Sequence, residues 1–405
     1  MQPMKPASLL PIVIAICSFT SIRAADWPQL QGDARRSGNT PGEILKKPLG
    51  LLAAVPLTDS VQAAPVVTDG VVYVIDGSGV VHAIDSRTYK VKWRFATKGG
   101  AGNCNNVAAP AVVGEYLHVG TTAGFYYVLD RANGEMVKTI DCAEPILSAA
   151  AVGEGRVYFA TLGARVYAVS PKGEVAWIWD FVKEEVGFTG NRWSGADWVK
   201  FRGDRVTWKD HFVCSRDICL MGKTVVMPAG GRTVFLEDAG AKPRLRKVAV
   251  IPQFAGTEFP ATLGQSADAA GNVYVQWHRR DNAGRVEKLR LVDNGGDELK
   301  VDFVKGTQTD IRTPGMLSFA PVSIRGGDVY RVRPEQGMGL CRHRDGKTEV
   351  LNAAAAICPP VLTRDHAVYG GLDGRLHIVP LNGGKARALA TAFGAPISAP
   401  VAVAD

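Results

Sequence analysis

The chain has 405 residues and a formal net charge of +8, with 46% hydrophobic and 21% charged side chains. A chain of this length buries ample apolar surface and needs no disulfides to hold a core. The excess of 47 basic over 39 acidic side chains is mild for this length, so it does not indicate a nucleic-acid partner.

The first 24 residues have the pattern of a signal peptide. Lys5 supplies the positive start, residues 9–17 form an apolar run, and Ile22-Arg23-Ala24 resembles a cleavage site. The apolar run is too short for a transmembrane helix. We therefore expect an exported protein, periplasmic or extracellular, with a signal peptide at 1–24 and an N-terminal lead-in segment at 25–47.

From residue 48 onward the chain repeats one pattern of short strands. The clearest copy holds an apolar strand at 64–68, a Gly-led strand at 70–75, a second Gly-led strand at 79–85 and a charged strand at 91–93. The same order returns 45 residues later. Four short strands in 40–50 residues are typical of a β-propeller blade. The sequence therefore predicts an all-β fold, a β-propeller of four-stranded blades over residues 48–405.

Tyr73, three positions after its turn glycine, serves to count the repeats. Equivalent residues follow at His118, Tyr158, Val225, Tyr274, Tyr330 and Tyr369. The intervals between them are 45, 40, 67, 49, 56 and 39 residues, so the longer intervals hold loop insertions. The largest insertion is predicted at 182–210, between the third and fourth repeats.

The two ends of the repeat region look like parts of an eighth blade. Residues 48–58 resemble a last blade strand, and residues 397–405 resemble a first strand. The sequence thus predicts seven complete repeats plus a split, incomplete eighth that lacks its two middle strands. Two explanations are open: a ring that closes with a defective blade, or an incomplete gene product.

The repeats resemble the PQQ-like β-propeller repeat of quinoprotein-type proteins. The matching stretches are 63–93, 108–138 and 148–177, with weaker ones at 318–345 and 357–380. The opening residues 26–38 are similar to the lead-in of exported bacterial members. Two branches share this repeat, the quinoprotein dehydrogenases and non-catalytic propellers such as BamB of the outer-membrane assembly machine. The resemblance implies the fold and leaves the activity open, because propellers carry their chemistry in loops.

Parts that the resemblance implies for a dehydrogenase are missing from this sequence. Such enzymes hold the quinone against a disulfide between adjacent cysteines, and no Cys-Cys pair occurs here. They bind Ca²⁺ through a Glu and an Asn with an Asp as base, and no carboxylate cluster has a supporting motif. We therefore predict a BamB-like, non-catalytic scaffold with no cofactor and no metal, which binds another protein or a cell-envelope component. The alternatives are a PQQ-dependent dehydrogenase-like enzyme and a carbohydrate-binding propeller that uses Trp193 or Trp198.

The insertion holds the residue types that best fit an interface. The candidate interface residues are Phe188, Arg192, Trp193, Trp198, Phe201 and Arg202. Trp and Arg in an ordered loop commonly anchor protein–protein contacts. The alternative is that this loop folds over a blade edge and buries its own rings.

Six cysteines follow the signal peptide, at 104, 142, 214, 219, 341 and 358. An exported protein permits disulfides. Cys104 and Cys142 lie at equivalent rim positions of neighbouring blades, so we predict a disulfide between them, with Cys341–Cys358 as a second possibility. No Cys-x-x-Cys pair indicates a metal site.

Two of the seven histidines share one position in the repeat. His82 and His377 occupy a slot that other repeats fill with Tyr127 and Tyr167. A slot that accepts either ring type is a packing position, so we predict structural roles for both histidines.

Overall fold

A computed structural model of the chain describes residues 26–45, 49–203, 211–250, 261–278, 283–304, 309–312, 322–334 and 337–404. In this part of the chain seven β-sheets follow one another, and the strands within each sheet pair in chain order. The prediction of an all-β propeller with four-stranded blades is confirmed, with seven blades observed. The predicted signal peptide at 1–24 lies outside the described residues.

Blades 1 to 4 each contain four antiparallel strands joined by short turns. Blade 1 contains β1 (Val66–Thr68), β2 (Val71–Ile75), β3 (Val80–Asp85) and β4 (Val91–Ala96). Blade 2 contains β5 (Ala111–Val113), β6 (Tyr116–Gly120), β7 (Phe125–Asp130) and β8 (Met136–Asp141). Blade 3 contains β9 (Ala151–Val152), β10 (Val157–Ala160), β11 (Arg165–Val169) and β12 (Val175–Asp180). Blade 4 contains β13 (Cys219–Met221), β14 (Thr224–Ala229), β15 (Arg232–Asp238) and β16 (Pro243–Val250).

Blades 5 to 7 repeat this plan, with one additional strand in blade 5. Blade 5 contains β17 (Ala261–Ala267), β18 (Asn272–His278), β19 (Ala283–Val292) and β20 (Lys300–Phe303), and β21 (Thr309–Arg312) pairs with β19. Blade 6 contains β22 (Ser323–Arg325), β23 (Asp328–Val332), β24 (Leu340–Arg344) and β25 (Lys347–Asn352). Blade 7 contains β26 (Val361–Leu362), β27 (His366–Gly370), β28 (Arg375–Pro380) and β29 (Arg387–Ala390).

The helices are short. A 3-10 turn at Gly100–Gly102 precedes blade 2, and α1 (Phe181–Glu184) and α2 (Gly195–Arg202) lie between blades 3 and 4. No helix in the described part of the chain is long and apolar enough to span a membrane.

The register of the repeats confirms the counting from sequence. Tyr73 and its six equivalents all lie in the second strand of their blade. Side chains of neighbouring blades share their cores: Phe159 of blade 3 stacks on Tyr126 of blade 2, with the ring centroids 3.7 Å apart. The alternation of strand direction gives the propeller two faces. The turn face carries the first-to-second and third-to-fourth turns, and the connection face carries the second-to-third turns and the links between blades.

The described residues form no eighth sheet. Residues 49–58 and 391–404 carry no strand, and Leu52 is 82% exposed. The segment around Ile397 nevertheless packs on blade 7 as a blade connection does. Ile397 N donates to Gly371 O at 3.1 Å, just as Ile146 N donates to Thr121 O at 3.0 Å before blade 3. The incomplete eighth blade stays a prediction.

The lead-in segment runs around the inside of the ring and bonds to every blade. The first strand of each blade donates one backbone N–H to an oxygen atom of residues 27–38, in the order of the blades. The seven donors are Val67, Val112, Val152, Leu220, Ala267, Ile324 and Leu362, and their acceptors are Trp27 O, Pro28 O, Gln29 Oε1, Ala34 O, Arg35 O, Ser37 O and Gly38 O. Because an edge strand leaves its N–H groups unpaired, this segment covers the inner edges of all seven sheets.

Arg36 is the central polar contact of the lead-in segment. Its side chain is fully buried. Its guanidinium donates to Ile218 O, Leu30 O, Ala149 O and Ala150 O at 2.8–3.1 Å, and lies 3.4 Å from Gln29 Oε1. Burial lowers the pKa of Arg36, although Asp217, Cys219 and Asp33 raise it. One side chain thus joins the lead-in segment to blades 3 and 4.

His82 and His377 each bond to an aspartate within their blades. His82 Nε2 lies 2.9 Å from Asp76 Oδ2, and both side chains are fully buried. In blade 7, His377 Nε2 lies 3.0 Å from Asp373 Oδ1, and the Asp373 side chain is 45% exposed. Asp76 also accepts hydrogen bonds from Thr58, Ser78 and Val80 N. Burial alone would raise the pKa of Asp76, but these hydrogen bonds lower it to about 2.

Asp76→Asn should remove a contribution to the free energy of unfolding that the wild type loses in acid. The pKa of Asp76 lies below its ordinary value of 3.8, so its contribution is complete above about pH 4 and is lost as the pH falls through about 2. A shift of this size corresponds to about 2 kcal/mol at neutral pH. Urea unfolding at pH 7, 4 and 3 should show a steeper loss of stability for the wild type than for the variant.

Asp373→Asn is the matched control for this experiment. Asp373 makes the equivalent bond to His377, but solvent screens its half-exposed carboxyl group. We expect its stability curve to follow that of the wild type. An Asp76→Asn curve with the wild-type slope between pH 4 and 3 would contradict the assignment.

Candidate functional site

The insertion between blades 3 and 4 stands on the connection face as two capped helices. Asp180 ends β12 and caps α1, its carboxylate accepting from two backbone N–H groups of the first turn. Ser194 caps α2 by accepting from Asp197 N, and Gly203 ends this helix with a left-handed φ of 83°. Asp, Ser and Gly are the residue types that start and stop helices. Residues 204–210 of the predicted insertion lie outside the described residues.

The aromatic rings of the insertion build a core of their own. Phe188 stacks on Trp198 with the ring centroids 3.9 Å apart, and Trp198 packs on Phe212 at 5.8 Å. Trp198 Nε1 donates to Arg192 O at 2.8 Å. Phe188 is 4% exposed and Trp198 is 1% exposed. Both residues, which the sequence placed in an interface, are therefore core residues, because ring stacking removes them from solvent. Because Trp198 is buried, it cannot stack on a carbohydrate either.

A buried charge network fixes the insertion to blade 3. Arg192 bonds to Asp180, donates to Gly163 O at 2.5 Å and lies 3.5 Å from Glu144 Oε1. Arg165 Nε lies 3.0 Å from Asp180 Oδ2 on the other side. Burial alone would raise the pKa of Asp180, but the bonds from Arg192 and Arg165 keep it below its usual value. Arg192 was predicted to be an interface residue. Its bonds instead lie within the protein and hold the insertion to blade 3.

The outer side of the insertion presents the remaining predicted residues to solvent. Trp193 is 40% exposed and rests edge-on against Phe212, with the ring centroids 5.5 Å apart. Phe201 is 46% exposed, and Arg202 is exposed beside it on α2. A pocket of about 330 Å³ lies between Trp193 and the charge network. The geometry thus provides a rigid base that displays an aromatic and basic surface.

A second cavity lies on the propeller axis at the connection face. It has a volume of about 280 Å³, and Leu30 of the lead-in segment is among its lining residues. Leu30 packs against Ala64, Ala109 and Ala149, one alanine from each of the first three blades. Arg216 and Asp217 bring charge to the wall of this axial cavity. Asp217 Oδ1 accepts from Ala149 N at 2.7 Å.

Both charged groups of the axial cavity are partly buried. Burial lowers the pKa of Arg216 to about 10. Burial raises the pKa of Asp217, although Arg36 lowers it. Asp217 thus joins the link before blade 4 to the link before blade 3, and its charge lies near Arg36 of the lead-in segment.

Comparison with known proteins supports the family of PQQ-like repeat propellers. A family profile described as outer membrane protein assembly factor BamB matches residues 52–145 and 108–194, which span blades 1 to 3. The chain is a propeller of PQQ-like repeats. This agrees with the repeats recognised in the sequence.

The relatives of this PQQ-like propeller include enzymes. Quinohemoprotein alcohol dehydrogenase of Comamonas testosteroni is 30% identical over 182 residues, which cover 39% of this chain and 26% of that protein. The match thus spans about a quarter of the relative's length. A crystal structure of the same dehydrogenase superposes with a TM-score of 0.60 at 16% identity, covering 93% of this chain and 74% of that one. A europium-containing methanol dehydrogenase superposes with a TM-score of 0.63 at 13% identity, covering 93% and 86% of the two chains. At these identities the structural likeness shows the fold.

The described wall of the axial cavity does not fit a quinone cofactor with a calcium ion. PQQ carries three carboxylates, so a site for it needs several cations, and this wall offers Arg216 beside the carboxylate of Asp217. A calcium ion needs six to eight oxygen ligands. The described residues contain no group of three His, Cys, Asp or Glu side chains that could hold a metal ion.

The predicted Cys104–Cys142 disulfide is not formed in the structure. Cys104 is exposed and Cys142 is buried, and both are free thiols. Their environments differ because Cys104 lies in a loop, while Cys142 lies in the core that blades 2 and 3 share, in one cluster with Tyr167 and Ile146. Burial raises the pKa of the Cys142 thiol to about 12, so this group is unreactive. Cys358 is also a free thiol, so the alternative Cys341–Cys358 bridge is absent as well.

The residues that hold the insertion in place were not predicted from the sequence. Arg165 and Asp180 belong to blade 3 and Glu144 to the link before it, and none was recognised as part of the site. Asp180 offered a signal, since an Asp directly before an apolar-rich segment is a helix N-cap. Glu144 and Arg165 offered none, because 48 residues separate Glu144 from Arg192 in the chain.

Proposed function

We propose that this PQQ-like propeller is an exported, non-catalytic scaffold that binds another protein or a cell-envelope component through its insertion. The signal-peptide pattern at 1–24 supports export. The observation that carries the role is the two-sided insertion, with a closed aromatic core beneath and Trp193, Phe201 and Arg202 displayed above. Rigid Trp and Arg side chains are the residue types that dominate binding energy in interfaces.

Site-specific photocrosslinking tests this proposal. A photoreactive phenylalanine analogue at position 193 or 201 should give discrete adducts with an envelope component of the source organism. The same analogue at Tyr89, a 38% exposed aromatic residue on blade 1, serves as the control. Adducts at 193 and 201 but not at 89 would support an interface at the insertion. Equal labelling at all three positions would contradict it.

A dehydrogenase-like enzyme is the second candidate function, favoured by the 30% identity to a quinohemoprotein alcohol dehydrogenase. The described residues of the axial cavity argue against it, because their charges are bonded within the protein. Incubation with PQQ and Ca²⁺, followed by dye-linked oxidation of alcohols and sugars, separates the two functions. We expect no turnover above that of a heat-denatured sample, and measurable turnover would replace the scaffold proposal.

A further inference from the structure

A larger pocket of about 590 Å³ opens on the turn face, among blades 5, 6 and 7. Its wall carries five basic side chains, and we call it the basic pocket. These residues are Lys288, Arg325, Arg342, Arg344 and Arg364. The pocket lies on the face opposite the insertion, since it is built from first-to-second and third-to-fourth turns. The proposed scaffold function does not involve it.

Two of the five cations are neutralised by carboxylates. Arg342 Nη2 lies 2.5 Å from Glu349 Oε2, across the strand pair β24–β25. Arg344 makes a two-pronged contact with Asp328, in which Nε donates to Oδ1 at 2.7 Å. These pairs raise the pKa of both guanidinium groups. They fix the geometry of the wall but add little net charge to the pocket.

The other three cations have no carboxylate partner among the described residues. Arg325 donates only to neutral oxygens, to Asn39 Oδ1 at 2.8 Å and to the carbonyls of Arg364 and Thr363 at 3.0 and 2.6 Å. Lys288 lies over the Tyr274 ring, its Nζ 5.6 Å from the centroid. Burial lowers the pKa of Arg325, although Tyr330 and Asp365 raise it.

The remaining charges leave the pocket positive. Asp345 is the one lining carboxylate outside the two ion pairs, against Lys288, Arg325 and Arg364. The glycines of the β22–β23 turn also leave its backbone open to a ligand. A Cβ atom added at Gly326 or Gly327 would meet no atom within 4 Å. The lead-in segment holds Arg325 in place through Asn39, so a ligand would meet a pre-arranged guanidinium.

We propose that the basic pocket binds a small polyanion that carries two or more phosphate or sulfate groups. Arginine recognises such groups through charge-assisted hydrogen bonds, and lysine adds a point charge. The volume exceeds what one phosphate group fills, and the three unneutralised cations come from three different blades. A ligand with several anionic groups offers a charge to each of them.

Titration calorimetry with tripolyphosphate and with a trisulfated disaccharide, at low and at physiological salt, tests the proposal. The wild-type protein should bind at least one of these probes, and the preferred probe distinguishes phosphate from sulfate recognition. The variant Lys288→Ala/Arg364→Ala should bind at least about tenfold more weakly, because each lost cation removes a charge-assisted hydrogen bond. Neither side chain hydrogen-bonds within the described protein, so the variant should fold.

The control variant is Lys90→Ala/Lys172→Ala, which removes the same charge from exposed positions in blades 1 and 3. It should bind as the wild type does. Absence of binding by the wild type at low salt, or equal binding by Lys288→Ala/Arg364→Ala, would overturn the proposal. A second measurement needs no variant: phenylglyoxal should modify Arg364 of the wild type more slowly when the bound probe is present. Unchanged modification would also overturn it.

Discussion

Arg36→Ala should lower the free energy of unfolding by about 3–5 kcal/mol, because it leaves buried carbonyl oxygens without a donor. The guanidinium serves four backbone carbonyls that come from the lead-in segment, blade 3 and the connection to blade 4. Arg36→Lys should restore little of the loss, since a single ammonium cannot reproduce the planar fork of donors. Chemical denaturation followed by tryptophan fluorescence measures both variants.

Arg35→Ala provides the control at the neighbouring position. Arg35 bonds to blade 5 through its backbone carbonyl, and its side chain is 44% exposed beside Asp33. Its replacement should cost about 0.5 kcal/mol or less. Equal and small effects at positions 35 and 36 would show that the lead-in segment is not held by the buried guanidinium.

Trp198→Ala should destabilise the protein by about 3–5 kcal/mol, and Trp193→Ala by about 1 kcal/mol or less. The difference follows from burial: Trp198 is 1% exposed between Phe188 and Phe212, whereas Trp193 is 40% exposed. Thermal unfolding measures the difference directly. In the crosslinking experiment, Trp193→Ala should weaken adduct formation from position 201 while the fold stays intact.

The reverse order of stability would contradict this assignment. If Trp193→Ala destabilised the protein as much as Trp198→Ala, Trp193 would be a packing residue and the proposed surface would lose its anchor. If Trp198→Ala alone abolished binding without a change in stability, the two roles would be exchanged. Phe393→Ala, which alters an 84% exposed ring in the segment after blade 7, is the neutral reference for both measurements.

The blade architecture was predictable because its signals are local. Five of the seven repeats place a turn glycine three residues before a buried second-strand residue, as Gly70 precedes Tyr73. Alternation and turn chemistry act over a few residues, so one copy is enough to define the unit. The repeated copies then predict a propeller.

The candidate sites were less predictable because they join distant parts of the chain. Arg192 was assigned to a surface from its residue type, and its burial depends on Asp180 of blade 3 and Glu144 of the link before it. The basic pocket similarly draws Lys288 and Arg364 from different blades. Residue types in a loop indicate which chemistry is available, but only the packing of blades decides which side chains remain exposed.

The course of the lead-in segment also constrains how the molecule assembles. Near its end, Thr40 donates to Leu362 O, 322 residues further along the chain. The first part of the propeller to be synthesised therefore finds its final partner only after blade 7 exists. Contacts of such long range slow folding. The inner edges of the first blades should therefore stay uncovered until blade 7 has formed. The interval between synthesis and docking of this segment is when the protein should be most exposed to proteolysis and most dependent on chaperones.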